Sequence, residues 1–293
     1  MNICGETLIS TISRGCPQGS ANSPGLWNIL YDDMLQLELP NGCNIIAYAD
    51  DALLLVRLSD IQKLIDVSNE ALNILFYWGL ENKLQFNPSK SQAMLITRRR
   101  KVEVNTSLQM HGHDIELVNS LNYLGVVLDK KLTFRPHFEH LASKSSKFLR
   151  GLSLASRPTW GLNSEILKII YHGAIKPLLL YCASAYEHVL NKKYAQKKLS
   201  QVQRGFALLI CKGYRTLSTD AALVIAGIPP LYLSGLYSAG VSDIKRKRKN
   251  NFQNCTFDCD YTMPFLAAGH PAVQYDNLYI KYCDNVHTYN IYT

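Results

Sequence analysis

Residues 43–56 carry only two charged side chains, the adjacent Asp50 and Asp51, and no other segment constrains the chain as strongly. The run reads as two apolar strands, residues 44–49 and 52–56, joined at the aspartates. Strands of this composition are expected to be buried on both faces, with their turn lying against a sheet. Two neighbouring carboxylates placed there repel each other and lose hydration, and a divalent cation relieves both penalties. Hard oxygen ligands favour Mg²⁺ or Mn²⁺. The plain alternative is a solvated acidic turn, because aspartate is common in turns.

A second feature precedes the hairpin. Arg14-Gly15-Cys16-Pro17-Gln18-Gly19-Ser20 is a glycine-flanked loop that feeds a helix over residues 24–39, with Ser23 as N-cap and Pro24 at its first position. Glycines let a ligand approach the backbone closely, and a helix N-terminus favours an anionic group. Such a loop suits a nucleotide phosphate or a template strand; an ordinary strand-to-helix turn is the competing reading.

The rest of the first 130 residues alternates helix and strand. A strand is expected over residues 7–13. An amphipathic helix is expected over residues 60–77, ended by Gly79 as C-cap, then a turn at Asn87-Pro88 and a strand over 93–97. A small hairpin over 108–118 and a strand over 123–128 follow. Beyond that, helical periodicity marks residues 136–156, 164–190 (kinked or broken at Pro177), 194–211 and 219–226, and a last helix runs toward the basic cluster at 245–249. The expected class is α+β, in three parts: residues 1–128, a helical and basic part over 129–250, and a poorly defined tail over 251–293.

Charge is uneven. Residues 130–215 hold sixteen Lys/Arg against three acids, a local excess of thirteen, although the whole chain carries only +8. That helical part is therefore the one suited to phosphate, and Lys192, Lys193, Lys197, Lys198 and Arg204 lie close together in sequence there. A solvated helix face explains such a run equally well. The eight cysteines are scattered through mostly apolar stretches, which suits a reduced intracellular protein with most thiols buried. No signal peptide is visible. The longest apolar run, residues 177–186, is too short to span a bilayer, so no membrane partner is expected. Cys255, Cys259, Cys283, His270 and His287 are spaced too loosely for a zinc knuckle, and zinc is not expected.

Four motifs in order carry a resemblance to a known family. Gly15-Cys16-Pro17-Gln18-Gly19-Ser20, with Ser23-Pro24 and Leu26-Trp27-Asn28, resembles the motif ahead of the catalytic hairpin in reverse transcriptases of non-LTR (type-1) retrotransposable elements. Tyr48-Ala49-Asp50-Asp51 is similar to their Tyr-x-Asp-Asp box. Leu84-Gln85-Phe86-Asn87-Pro88-Ser89-Lys90 resembles the next motif, and Tyr123-Leu124-Gly125-Val126 the primer-grip strand. Residues Asp129, Leu132, Phe134 and His137, and later Ala226-Gly227-Ile228-Pro229-Pro230, are similar to the thumb region of insect ribosomal-DNA-inserting elements.

The resemblance implies the C-terminal part of a right-hand polymerase palm followed by a helical thumb. Its reaction is RNA-directed DNA synthesis within a Pol polyprotein, using an RNA template, a DNA primer and deoxynucleoside triphosphates. Asp50 and Asp51 would bind two metal ions and catalyse nucleotidyl transfer. Gln18, Gly19, Ser20 and Lys90 would meet nucleotide and template; Tyr48, Ala49, Tyr123, Leu124 and Gly125 would position the primer. The lysines named above and Arg204 would grip nucleic-acid backbone. The family carries a further metal-binding aspartate on an earlier strand, and residues 1–13 contain none. The chain is therefore expected to be a fragment that does not polymerise alone, with an endonuclease elsewhere in the polyprotein and the nucleus as the site of retrotransposition. The competing readings are an intron-maturase-like reverse transcriptase and a non-catalytic helical nucleic-acid-binding relic. Oligomeric state is left open.

Overall fold

The computed structural model describes residues 19–97, 99, 107–156 and 160–246, together with the backbone of four two-residue strands, and it is mixed helix and sheet. Strands β1 (Asn2–Ile3) and β2 (Glu6–Thr7) pair antiparallel, and most of the expected strand over 7–13 lies outside the described residues. The chain divides into two compact units, Met1–Leu121 and Asn122–Thr293.

In the first unit, α1 (Ser23–Leu35) begins with Pro24 in its first turn, as expected. Its cap residue is Asn22 and not Ser23, and the helix stops four residues short of the expected end. Strands β3 (Cys43–Tyr48) and β4 (Asp51–Val56) form an antiparallel hairpin with Tyr48 opposite Asp51 and Cys43 opposite Val56. Helix α2 (Ile61–Glu81) is capped by the Asp60 carboxylate, which accepts the Gln62 and Lys63 amides at 2.8 and 3.2 Å. Gly79 does not end it. The helix continues past Gly79, which is buried where an added Cβ would sit 3.1 Å from the Leu84 carbonyl oxygen and 3.2 Å from the Phe86 ring.

Tyr31 and Met34 of α1 pack with Leu75 and Trp78 of α2, and Ile45, Ala47 and Leu54 of the hairpin join them. The Trp78 indole donates to the Asp33 carboxylate at 2.6 Å, which ties the two helices. A short 3₁₀ turn (Pro88–Lys90) then leads to β5 (Gln92–Ala93), far shorter than expected; β5 joins β6 (Leu108–Met110) and β7 (His113–Leu117) in the order β5-β7-β6. His111, in the β6–β7 turn, stacks on Phe76 of α2 at 4.1 Å.

The hairpin departs from the sequence expectation in one respect. Only one face packs on the helices. Ile46, Tyr48 and Leu55 are exposed at 48%, 65% and 45%, so apolar composition here does not mean burial on both sides among the described residues.

Strand β8 (Ser120–Tyr123) crosses the division between the units and pairs with β9 (Val126–Asp129) of the second. The expected single strand over 123–128 is two strands, because Leu124 and Gly125 both take positive φ (47° and 80°) and turn the chain back. Helix α3 (Arg135–Ala155) follows. Asp129 accepts from the Phe134 and Lys131 amides and the Thr133 hydroxyl, and the Tyr194 hydroxyl donates to the Thr133 carbonyl.

The expected long helix over 164–190 is in pieces: α4 (Ser164–Ile170), a π-helical turn (Tyr171–Ile175), α5 (Lys176–Leu179), a 3₁₀ turn (Ala183–Ala185) and α6 (Glu187–Leu190). The π turn falls immediately before Pro177, where the proline ring disturbs the regular hydrogen-bond ladder. Residues Ser164–Ala185 are long and apolar enough, by length and composition, to cross a bilayer, which the sequence reading did not anticipate. Here Leu167, Tyr171, Ile175 and Leu179 form a stripe buried in the core of the unit.

Helix α7 (Lys193–Ile210) contributes most to that core, with α8 (Thr219–Ala226) and α9 (Leu231–Lys245) packed against it. Fully buried Gln203 donates to the Tyr171 hydroxyl (3.0 Å) and the Pro229 carbonyl (2.7 Å) and accepts from the Leu231 amide (2.7 Å). Strands β10 (Asn251–Phe252) and β11 (Cys255–Thr256) pair. Among the described cysteines, Cys43 and Cys211 are half-buried and Cys182 is exposed, so the expectation of mostly buried thiols does not hold for them.

Candidate polymerase site

Asp50 and Asp51 occupy the tip of the β3–β4 hairpin, and both are exposed to solvent. The expected desolvation of the pair is therefore not seen. The conformation of the turn is set by α1. The Trp27 indole Nε1 donates to the Ala49 carbonyl oxygen at 2.7 Å, and the Tyr31 hydroxyl donates to the Asp50 carbonyl oxygen at 3.3 Å. Trp27 and Tyr31, one helical turn apart, lie with ring centroids 4.7 Å from each other. Ala49 takes φ 52°, a left-handed conformation that costs a non-glycine residue about 1–2 kcal/mol.

The carboxylates act electrostatically on that helix. The Tyr31 phenol is pushed above its ordinary value by burial first, then by the charges of Asp50 and Asp51. Trp27 was visible in the sequence only as part of a motif, and Tyr31 carried no role there. The signal that could have found them is their i, i+4 aromatic spacing on the helix that follows the glycine loop.

The remaining candidates are distributed. Gly19 (φ 86°) and Ser20 are exposed just before α1, and the Ser20 hydroxyl accepts the Asn22 amide at 3.3 Å. Gln18 lies outside the described residues. Tyr48 is exposed on the open face, directly opposite Asp51. Lys90 is exposed at the end of its 3₁₀ turn, which Asn87 caps by accepting the Ser89 amide at 3.0 Å.

Tyr123, Leu124 and Gly125 belong to the second unit, at the β8–β9 turn. So do the basic residues. Lys192, Lys193 and Lys197 are exposed, and Lys198 is half-buried. Arg204 is engaged internally, donating to the Arg215 carbonyl at 2.7 Å and the Thr219 hydroxyl at 3.2 Å. Of the Cys/His set, Cys255 has only its backbone described, and Cys259, Cys283, His270 and His287 lie outside the described residues.

Asp50 and Asp51 offer adjacent hard oxygen donors, which suits Mg²⁺; that ion usually takes one or two protein carboxylates and completes its shell with water and substrate phosphate. Among the described residues no group of three or more His, Cys, Asp or Glu could by itself enclose a metal.

Residues 3–128 match the family model for reverse transcriptase (RNA-dependent DNA polymerase). Around this reverse transcriptase region, the chain is 32% identical over 246 residues to the putative 115 kDa protein in type-1 retrotransposable element R1DM of Drosophila melanogaster, covering 84% of the chain and 23% of that protein. It is 30% identical over 237 residues to the retrovirus-related Pol polyprotein from type-1 retrotransposable element R1 2 of Nasonia vitripennis, covering 79% of the chain and 58% of the relative. The RNA-directed DNA polymerase from mobile element jockey of Drosophila funebris is 29% identical over 192 residues, covering 62% and 20%. The chain thus spans less than two thirds of these relatives' length. No solved structure matches.

Proposed function

We propose that the chain forms part of an RNA-directed DNA polymerase encoded by an R1-like non-LTR retrotransposable element. In this reading the first unit is the later part of a polymerase palm and the helical unit a thumb. The observation that carries it is the Asp50–Asp51 pair, fixed by Trp27 and Tyr31 at a hairpin tip inside the region that matches the reverse transcriptase family.

Asp50 and Asp51 would hold the divalent ions, Mg²⁺ or Mn²⁺, which would supply Lewis-acid activation of the primer hydroxyl and charge neutralisation at the leaving pyrophosphate. The chain's own residues supply position. Trp27 and Tyr31 keep the turn's carbonyls facing α1. Gln18, Gly19 and Ser20 line the nucleotide and template side, and Lys90 supplies a proton to departing pyrophosphate. Tyr48 and Ala49 place the primer end, and the family resemblance gives the same role to Tyr123, Leu124 and Gly125 of the second unit.

Two carboxylates are one short of a two-ion set. The earliest aspartates in the sequence, Asp32 and Asp33, are engaged by Gln36 (2.7 Å) and Trp78 (2.6 Å). Among the described residues no third metal-ligating side chain groups with the pair, and in this reading these 293 residues do not polymerise alone. An endonuclease, where the polyprotein has one, resides in its other parts, and retrotransposition takes place in the nucleus. Primer extension on an RNA template by the polyprotein that contains this segment tests the reading. Asp50→Ala should abolish Mg²⁺-dependent extension, and extension at the unaltered rate would contradict it.

A further inference from the structure

The break in the helical stretch over 164–190 brings an exposed aromatic ring to the β8–β9 turn. After α5 the chain reverses at Cys182, which takes φ 54°. The Tyr186 hydroxyl lies 3.2 Å from the carbonyl oxygens of both Leu179 and Tyr181 and shares its proton between them. Burial pushes the Tyr186 phenol up, so it keeps that proton. Leu179, Leu180, Ala183 and Tyr186 are buried in the core of the unit, whereas Tyr181 and Cys182 between them are exposed, Tyr181 at 52%. The backbone under Tyr181 is therefore fixed from both sides while its ring stands out of the core.

That ring rests on the turn. A Cβ placed on Gly125 would lie 3.5 Å from Tyr181 Cε1, an ordinary van der Waals contact, and no other described group beyond Gly125's own chain neighbours comes within 4 Å of that point. The turn needs such support. Leu124 takes φ 47°, which costs a non-glycine residue about 1–2 kcal/mol, and a conformation of this kind persists only where its surroundings hold it. Strands β8 and β9 form a sheet of two short strands, and an isolated pair is marginal in water. At its base β9 is held to α3, where His137 Nδ1 accepts the Val127 amide at 3.3 Å. At the tip the contact is Tyr181.

We propose that Tyr181 is a positioning residue for the primer, its ring bracing the Leu124-Gly125 turn and so setting where the primer end sits. The proposal rests on the reading of this chain as an RNA-directed DNA polymerase with that turn at the primer. It adds a residue far along the sequence, in a stretch whose composition showed only an apolar run. Misplacing a reacting group by about 1 Å can cost roughly 10²-fold in rate, so a small shift of the turn is enough to register.

The test is single-turnover incorporation of one nucleotide on an RNA template by the full polyprotein. Leucine at 181 stays apolar but does not reach as far as the ring. Tyr181→Leu should lower the rate constant about tenfold at saturating hybrid and nucleotide, with the reaction amplitude and the nucleotide KM within about twofold of the parent. Because the contact is made by a ring carbon, Tyr181→Phe should restore the rate to within about twofold. Tyr214→Leu, at a tyrosine of the same unit that is 86% exposed, should leave the rate unchanged. A parent-like rate for Tyr181→Leu would overturn the proposal. So would a fall in amplitude at an unaltered rate constant, which would make the ring a folding contact only. Tyr181→Phe as slow as Tyr181→Leu, or Tyr214→Leu equally slow, would overturn it as well. Asp50→Ala reads the polymerase assignment separately: extension surviving in that variant would overturn that reading and the proposal with it, whereas the Tyr181 outcomes overturn the proposal alone.

Discussion

The indole of Trp27 and the carbonyl of Ala49, twenty-two positions apart, are joined by a 2.7 Å hydrogen bond that fixes the turn carrying Asp50 and Asp51. Ala49 sits in a left-handed conformation, and a hydrogen bond of this type contributes about 0.5–1.5 kcal/mol, enough to offset much of that strain. Trp27→Phe keeps the ring packing and removes the donor. In the full polyprotein it should lower the single-turnover rate of nucleotide addition by about tenfold, equivalent to roughly 1.4 kcal/mol, while the unfolding midpoint changes little. An unchanged rate would show that the tether does not govern the turn.

The base of the same hairpin depends on Gly42. Its φ is 92°, its carbonyl accepts the Arg57 amide at 2.9 Å, and an added Cβ would meet the Arg57 carbonyl oxygen at 2.8 Å. Backbone cannot step aside as a flexible side chain can. Gly42→Ala should cost about 1–3 kcal/mol in urea unfolding.

Gln203 makes three hydrogen bonds from a fully buried amide, and it holds Tyr171, Pro229 and Leu231 to α7. Burial already pushes the Tyr171 phenol up to about 12, with the Gln203 bond working the other way. Gln203→Leu leaves those partners buried and unpaired. It should destabilise the helical unit by about 2–4 kcal/mol, measured by chemical unfolding followed through helix content.

His137 confers a pH dependence. Its Nδ1 accepts the Val127 amide at 3.3 Å, and its buried Nε2 has no hydrogen-bond partner among the described groups. The ring packs beside Tyr186 and Phe134 at 5.3 and 6.5 Å. Burial, with the nearby His140 adding to it, pushes the imidazole down to about 4. A histidine depressed in the folded state gives stability that is complete above the unfolded value near 6.5 and is lost as pH falls toward 4. The loss should amount to roughly 1–3 kcal/mol across that window. His137→Gln should flatten the stability profile between these limits, as read from urea midpoints at successive pH values.

Local signals made some elements legible. Apolar periodicity placed α2 and α8 near the expected residues 60–77 and 219–226, and the structure adds their caps, Asp60 for α2 and Ser218 with the αL Gly227 for α8. The aspartate pair and its hairpin were visible because charge stands out against apolar neighbours. What failed depended on tertiary context. Uniform apolar composition could not say that one hairpin face stays exposed, nor where the chain over 164–190 would break. The Leu124-Gly125 turn was hidden because a leucine at positive φ is set by strand pairing and not by propensity. Charge counting grouped Arg204 with the nucleic-acid lysines, yet its guanidinium clamps a loop. The Trp27 and Tyr31 tethers join residues about twenty positions apart, beyond any local pattern.

The account turns on Asp50, and single-turnover incorporation of one nucleotide on an RNA template tests it most directly. The assay compares the parent polyprotein with Asp50→Ala and, as a control on the same face of the molecule's sequence neighbourhood, Asp32→Ala. Loss of about 10³-fold or more for Asp50→Ala, with Asp32→Ala near the parent rate, is the predicted result, in line with removal of a principal electrostatic group from a reacting centre. Equal rates for the parent and Asp50→Ala would contradict the assignment of the hairpin as the catalytic site.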